Sequence, residues 1–451
     1  MSVTCRLVLV CDVYAMEAPK NSDGEWRVGP FVETYTDHTG RGVSTDGATR
    51  ATNFPVSLAD RLFGKTNAPS GQVRFSTAAL NVSWNTDVQP ILSGQASLRH
   101  AELLLSEPSA PGQDSNRPGI LALHFEVTAP SFADAVQVTN LLARQRGGMG
   151  ASPIHGALTY ERLRRLHPEL CRGLVFPTDG EVGAETESTI FSMILIDQMT
   201  VGDADPGMLS IKQAYSAASC QNIERLHASG EALDRASKSV LQISKSWSAL
   251  FLRHGASFVV HTGVQDPFRS FMPIYFGTLY TDALMLVRLQ LLIVRQVEIA
   301  AVSLLERAAA NPHLGSVSED FENLDRQLAI NSARYWMRRS ESNAGNSIKI
   351  IHAIQDAMSF PLRLGALDAH IDGLARISDA DAKKQSLDAQ KKLTKIVTLL
   401  GSIAIPVTFA TDLFQVLDLP VTPLSICGLA VGIFLLGGVT WWGLRRHLSR
   451  S

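Results

Sequence analysis

The hydrophobic positions of this chain change their period along its length. In the N-terminal part, residues 6–13, 119–127 and 189–196 are short apolar or alternating runs, which predict strands. Between them, residues 131–144 and 159–166 carry apolar side chains at helical spacing. Segments 36–53, 108–118 and 202–207 are rich in turn-forming residues and read as loops. Residues 1–207 are therefore expected to form an α/β domain, its strand order left open.

Beyond about Met208 the strand signals thin out and helical periods lengthen. Leu279, Ala283, Leu286, Leu289, Ile293, Val297, Ala300 and Leu304 follow steps of three and four, one face of a long helix over 279–310 that Asn311 and Pro312 end. A second helix is expected over 318–339. A third runs from Asn346 towards the C-terminus, with a kink near Pro361 and Gly365. Residues 208–395 thus read as a helical bundle and stalk. No internal repeat has a solenoid period.

The C-terminal part differs in kind. Residues 396–417 carry one charge, Asp412, and residues 421–444 carry none. About 20 apolar residues cross a bilayer as a helix, so 396–444 is expected to be a two-helix transmembrane domain and 445–451 a basic tail. Lys391, Lys392 and Lys395 precede the first span, and Arg445 and Arg446 follow the second. The positive-inside rule then puts both termini in the cytoplasm of a multi-pass protein of the cell inner membrane, in contact with membrane lipids. Trp441 and Trp442 fit the interfacial aromatic belt. Counting back in steps of four and three from Asp412 gives Thr408, Ile405, Gly401, Thr398 and Thr394, a stripe of small and polar residues on an otherwise greasy helix. An ionisable group in a span tends to face an interior, so several copies would turn this stripe to a shared axis as pore lining. The alternative is that Asp412 merely touches headgroups.

Composition sharpens the picture. A net charge of -2 over 451 residues removes the global basicity of a nucleic-acid binder, and no nucleic acid is expected as a partner. The 5 cysteines are scattered without a CxxC pair, which argues against a disulfide framework or zinc knuckle and for a reduced, cytoplasmic setting. The apolar run at 7–11 is closed by Asp12 and is too short for a signal peptide. HExxH, GxSxG and GxGxxG are absent, so no enzyme is expected. Gly64-Lys65-Thr66 resembles a phosphate loop, but Ala59 replaces its first glycine. The histidines are dispersed: His124 in a strand-like run, His254 and His261 near an apolar stretch, His352 and His370 on the stalk. Lone buried histidines are usually satisfied core residues.

Ile405-Pro406-Val407-Thr408-Phe409-Ala410, then Phe414, then Asp418-Leu419-Pro420, resembles the first span and outer loop of the CorA-type magnesium channels and their zinc-transporting relatives. The gross plan is similar too: a cytoplasmic α/β domain, a helical bundle, a stalk helix and two C-terminal spans. The likeness is local over roughly the last hundred residues and topological before them. At the family's Gly-Met-Asn signature this chain has Gln415-Val416-Leu417, and all three residues differ. The resemblance implies a homo-oligomer, a pentamer, conducting a divalent cation such as magnesium or zinc. Thr408 and a ring of Asp412 carboxylates would be its metal contacts, and the cytoplasmic domain would gate it. Acidic candidates for regulatory ions on the stalk are Asp356, Asp368, Asp372, Asp379 and Asp381. A second reading is a CorA-like membrane effector of a defence or signalling system, gated by an unknown regulatory ligand or partner.

Overall fold

In the computed structural model the described residues are 3–16, 19, 26–36, 41–63, 73–80, 82–84, 94–107, 117–143, 163–176, 190–197, 211–219, 229–244, 247–253, 255–260, 268–310, 316–335, 346–416 and 438. They divide into two units, Met1–Leu305 with Glu322–Ile371, and Glu306–Phe321 with Asp372–Ser451.

The first unit is built on an 11-stranded sheet. Its strands are β1 (Val3–Ala15), β2 (Trp26–Val28), β5 (Arg74–Thr77), β6 (Val82–Trp84), β7 (Gln95–Leu105), β8 (Arg117–Ala129), β9 (Leu174–Val175), β10 (Ile190–Asp197), β11 (Leu241–Ser244), β12 (Trp247–Leu252) and β13 (Gly255–Val260). A separate ribbon pairs β3 (Thr34–Thr36) with β4 (Gly42–Ser44). Along the sheet the order is β11-β12-β13-β10-β1-β8-β7-β5-β2, with β6 on β7 and β9 on β1. Every pairing is antiparallel except β10 with β13. The predicted strands at 6–13, 119–127 and 189–196 fall on β1, β8 and β10, the three central neighbours. Their continuous apolar runs are what a strand covered on both faces requires.

Helices cover both faces, and β1 sorts its side chains between them by alternation. Cys5, Leu7, Leu9, Cys11 and Val13 join one core with α3 (Phe132–Ala143), α4 (Ile211–Ala218) and α5 (Gly230–Lys238). Val8 and Val10 join the other, with α2 (Val56–Phe63), α7 (Thr281–Ala310) and α9 (Asn346–Ala357). Two features depart from the pattern expected of the sequence. Three strands lie beyond residue 208, because 241–260 is a meander too short to raise a strong alternation signal. Segment 36–53 is not a plain loop: it holds β4 and a one-turn helix, α1 (Gly47–Ala51), capped by Asp46 accepting from the Thr49 amide at 2.8 Å.

The predicted helix over 279–310 begins earlier and with a change of pitch. Helix α6 (Phe268–Tyr275) runs into a π-helical turn, Phe276–Tyr280, and then into α7. Pro273 inside α6 removes one backbone donor, and the Thr281 hydroxyl donates to the Phe276 carbonyl at 2.8 Å, bridging the wide turn. Helix α8 is Ser316–Tyr335. The break expected near Pro361 falls at Ser359, whose φ of 56° separates α9 from α10 (Phe360–Val416). Pro361 then sits in the first turn of α10, where its missing N–H costs nothing.

The C-terminal expectation is corrected. Among the described residues no helix is long and apolar enough to cross a membrane. The reading of an α/β domain followed by two C-terminal transmembrane helices of CorA type, and with it a multi-pass inner-membrane location, therefore does not stand. Physically, residues 396–416 are no independent apolar span. They are the end of the 57-residue α10, continuous with the exposed Lys391, Lys392 and Lys395. The second stretch, 421–444, lies outside the described residues apart from Gly438. In this second unit Arg307 pairs with Asp320 at 3.0 Å.

Candidate functional site

The sheet face beneath α7 carries a row of buried polar groups where apolar side chains would be the default. On β1, Asp12 follows Val8 and Val10 on this face and takes Arg288 of α7 at 2.7 Å. On β7 the phase is set by a bulge between Leu98 and His100. Ala96 and Leu98 point into the opposite core, as do Ala101, Leu103 and Leu105. The extra residue switches the alternation, so His100, Glu102 and Leu104 turn towards α7. His100 comes to lie directly across from His124 of β8.

Four charges meet beside these histidines. Arg50 of α1, Arg74 of β5, Glu102 of β7 and Asp282 of α7 are 3%, 1%, 0% and 0% exposed. Arg74 Nη2 donates to Glu102 Oε2 at 3.0 Å and to Asp282 Oδ1 at 2.6 Å. Arg50 Nη1 lies 3.2 Å from both Glu102 Oε1 and Asp282 Oδ1. Two carbonyls anchor Arg50 further: Thr45 accepts from Nε at 3.0 Å and Phe31 from Nη2 at 2.6 Å. The Phe31 amide donates to Glu102 Oε1 at 2.7 Å. Two guanidiniums and two carboxylates balance, which burial at this depth demands. The carboxylates nevertheless differ. Burial alone favours the neutral acid, but Arg50 and Arg74, with His124 beside them, hold Glu102 well below the usual range. Burial wins at Asp282, where the Glu102 charge adds to it, and its pKa is raised despite the same two arginines.

The imidazoles form a stack. Phe31 lies on His100 with centroids 3.8 Å apart, and His100 on His124 at 4.0 Å. Both Nε2 atoms are buried without a hydrogen-bond partner. His124 Nε2 is 3.3 Å from Glu102 Oε2, close but not aligned as a hydrogen bond. One donor atom each from His100, Glu102 and His124 lie within 4.8 Å of one another, a spacing that one metal ion would close. The histidines also line a cavity of about 330 Å³ bounded by Arg6, Glu33, Tyr35 and the turn at Pro273–Gly277. Gly277 lines the same cavity, and a Cβ on it would make an ordinary contact with His124 Nδ1 at 3.9 Å.

Burial, and the neighbouring His124, push the His100 pKa well below its ordinary value, so the folded protein holds it neutral. The unfolded chain takes up that proton near pH 6.5, so it binds more protons than the native state there and stability falls as pH falls. In metal-free protein we expect His100 to account for roughly 1 kcal/mol of the loss between pH 7.5 and pH 5.5. Urea denaturation at both pH values reads this as the difference between the native chain and His100→Phe. Equal pH dependence in the two would contradict it.

The residues expected from the sequence to line a pore belong to the second unit. Thr394 and Thr398 lie on α10, their hydroxyls donating to the carbonyls of Gln390 and Thr394 at 2.8 and 2.7 Å. Gly401, Ile405, Thr408, Asp412, Phe414, Gln415 and Val416 belong to the same helix, their side chains outside the described residues. Leu417, Trp441, Trp442, Arg445 and Arg446 lie outside them altogether. Of the site itself only His124 was singled out, as a satisfied core residue. His100 and Glu102 carried a signal, two polar residues at strand spacing inside an apolar run, that the bulge disguised. No protein-family model matches the chain, and no curated protein matches it in sequence.

Proposed function

We propose that the sheet unit is a metal-responsive regulatory domain that binds one divalent transition-metal ion through His100, Glu102 and His124. The observation that carries this reading is that one ring nitrogen each of His100 and His124 and one oxygen of Glu102, a carboxylate held ionised, lie within 4.8 Å of one another, at two histidines whose Nε2 atoms are buried without a hydrogen bond. A buried imidazole nitrogen without a partner is costly, and a shared ion satisfies both at once. Two imidazoles and one carboxylate suit zinc, cobalt, nickel or iron, whereas magnesium and calcium prefer all-oxygen sites. Three protein donors would leave a coordination position for water or a small ligand. The divalent cation and the ligand-gated domain of the sequence reading are retained, with the ion sensed here, not conducted.

Titrating the metal-stripped full chain with Co²⁺ or Zn²⁺ tests this. One equivalent should bind, and Co²⁺ should give the visible absorption of a nitrogen-ligated ion. At an excess of about 100 Kd the ion should raise stability by about 2.7 kcal/mol. His100→Ala and His124→Ala should each weaken binding by roughly a hundredfold. Saturable binding that both variants leave unchanged, or no binding, would refute the assignment.

A further inference from the structure

We infer that Asp282, which is not a ligand, sets the metal affinity of the His100–Glu102–His124 site by competing with Glu102 for Arg74. The inference rests on the metal-binding reading above and concerns its control. The oxygen of Glu102 that faces His124 is Oε2, and it is also the oxygen that accepts from Arg74 Nη2 at 3.0 Å. An ion entering the triad must therefore share or displace that guanidinium. The other oxygen, Oε1, is committed to the Phe31 amide and lies beside Arg50.

The two arginines are not equally free to yield. Arg50 is tied to the carbonyls of Thr45 and Phe31 and stays where it is. Arg74 has no such anchor in its remaining donors: its Nε and Nη1 are buried without partners. Its Nη2 is held between the two carboxylates, 2.6 Å from Asp282 and 3.0 Å from Glu102. Asp282 is thus the rival acceptor that draws Arg74 off Oε2. It also supplies the second negative charge that keeps the cluster from becoming cationic beside a dication. Without it, both guanidiniums converge on Glu102 and oppose the metal by charge as well as by occupancy. Asp282 is placed for this role by the chain, at the first turn of α7 directly after the π-helical turn that roofs the cavity. Asp282 is accordingly a positioning residue.

The prediction is a pair of opposite shifts, read by Zn²⁺ or Co²⁺ titration of the full chain at one ionic strength. Asp282→Asn should weaken the Kd by about tenfold or more, and Arg74→Gln should tighten it by a similar factor. The double variant, again balanced in charge, should return to within a few-fold of the native Kd. Asp282→Glu should rescue binding relative to Asp282→Asn. A merely structural role would weaken binding in both single variants, so shifts of the same sign, or none, overturn the inference while leaving the native site intact. If Asp282→Asn fails to fold, Arg74→Gln decides alone: tighter binding supports competition for Oε2, and unchanged or weaker binding overturns it. Absence of binding by the native chain removes the metal site itself, and this inference with it.

Discussion

Replacing Glu102 by alanine should cost about 3–5 kcal/mol of stability in the metal-free protein, among the largest effects of any single truncation in the sheet unit. The carboxylate is wholly buried and is the near partner of Arg50, Arg74, His124 and the Phe31 amide. Its removal leaves two guanidiniums, 3% and 1% exposed, sharing Asp282 alone. Taking a lone charge out of water is what makes breaking a buried pair expensive, although the intact pair contributes little net stability. Glu102→Gln should cost less, because its amide oxygen still accepts from the Phe31 N–H. The double variant Glu102→Leu with Arg74→Met should recover much of the loss, since it removes one charge of each sign and fills the space with apolar atoms. Urea denaturation in a chelating buffer measures all three. A loss under 1 kcal/mol for Glu102→Ala would mean that water reaches the cluster and that the charges are not mutually dependent.

That network explains why the site was illegible in the sequence while much of the fold was not. β1, β8 and β10 announce themselves because strands buried on both faces need unbroken apolar runs. The helical face from Leu279 to Leu304 is equally plain. β7 is harder, since Arg99, His100 and Glu102 interrupt it and the bulge shifts its phase midway. Three short strands after residue 240 were lost among helical signals. At the C-terminus hydropathy pointed to two membrane spans. Hydropathy counts only composition, and it cannot tell a separate span from the tail of a 57-residue helix.

The site depends on separations that no local pattern encodes. Arg50 meets Asp282 across 232 positions of sequence and Arg74 meets it across 208. Taken singly, none of the four charges carries a local sign of its burial. What was available locally was the His100-Ala101-Glu102 triplet, whose outer residues share a face in any extended strand. His124 was visible as a polar residue in an apolar strand. Its surroundings, the stack on His100 and the Glu102 carboxylate 3.3 Å from its Nε2, come from other strands and leave no trace in its own sequence neighbourhood.

Gly255→Ala should destabilise the sheet unit by about 3 kcal/mol or more, through crowding and not through backbone conformation. Gly255 opens β13, opposite Ser192 in the parallel β10–β13 pairing and opposite Leu252 across the β12–β13 hairpin. A Cβ there would collide with the Ala218 carbonyl oxygen at the end of α4, and would stand 2.8 Å from Ser192 Oγ and 3.0 Å from the Ser192 carbonyl. The serine hydroxyl can rotate away, but the two carbonyls belong to backbone. Relief therefore requires α4 or the β10–β13 seam to move, and Ser257 Oγ donating to the Ala214 carbonyl at 2.9 Å holds the same helix to the same strand. Gly29 and Gly230 separate the possible causes. Gly29 has a φ of 104° and open space around it, so Gly29→Ala strains backbone alone; Gly230, the first residue of α5, has neither restriction, and Gly230→Ala should stabilise by about 0.5 kcal/mol, chiefly by narrowing the unfolded ensemble. Denaturation midpoints for the three variants rank the effects. A cost at Gly255 no larger than that at Gly29 would show that α4 is free to shift, and that the parallel seam is not closed against it.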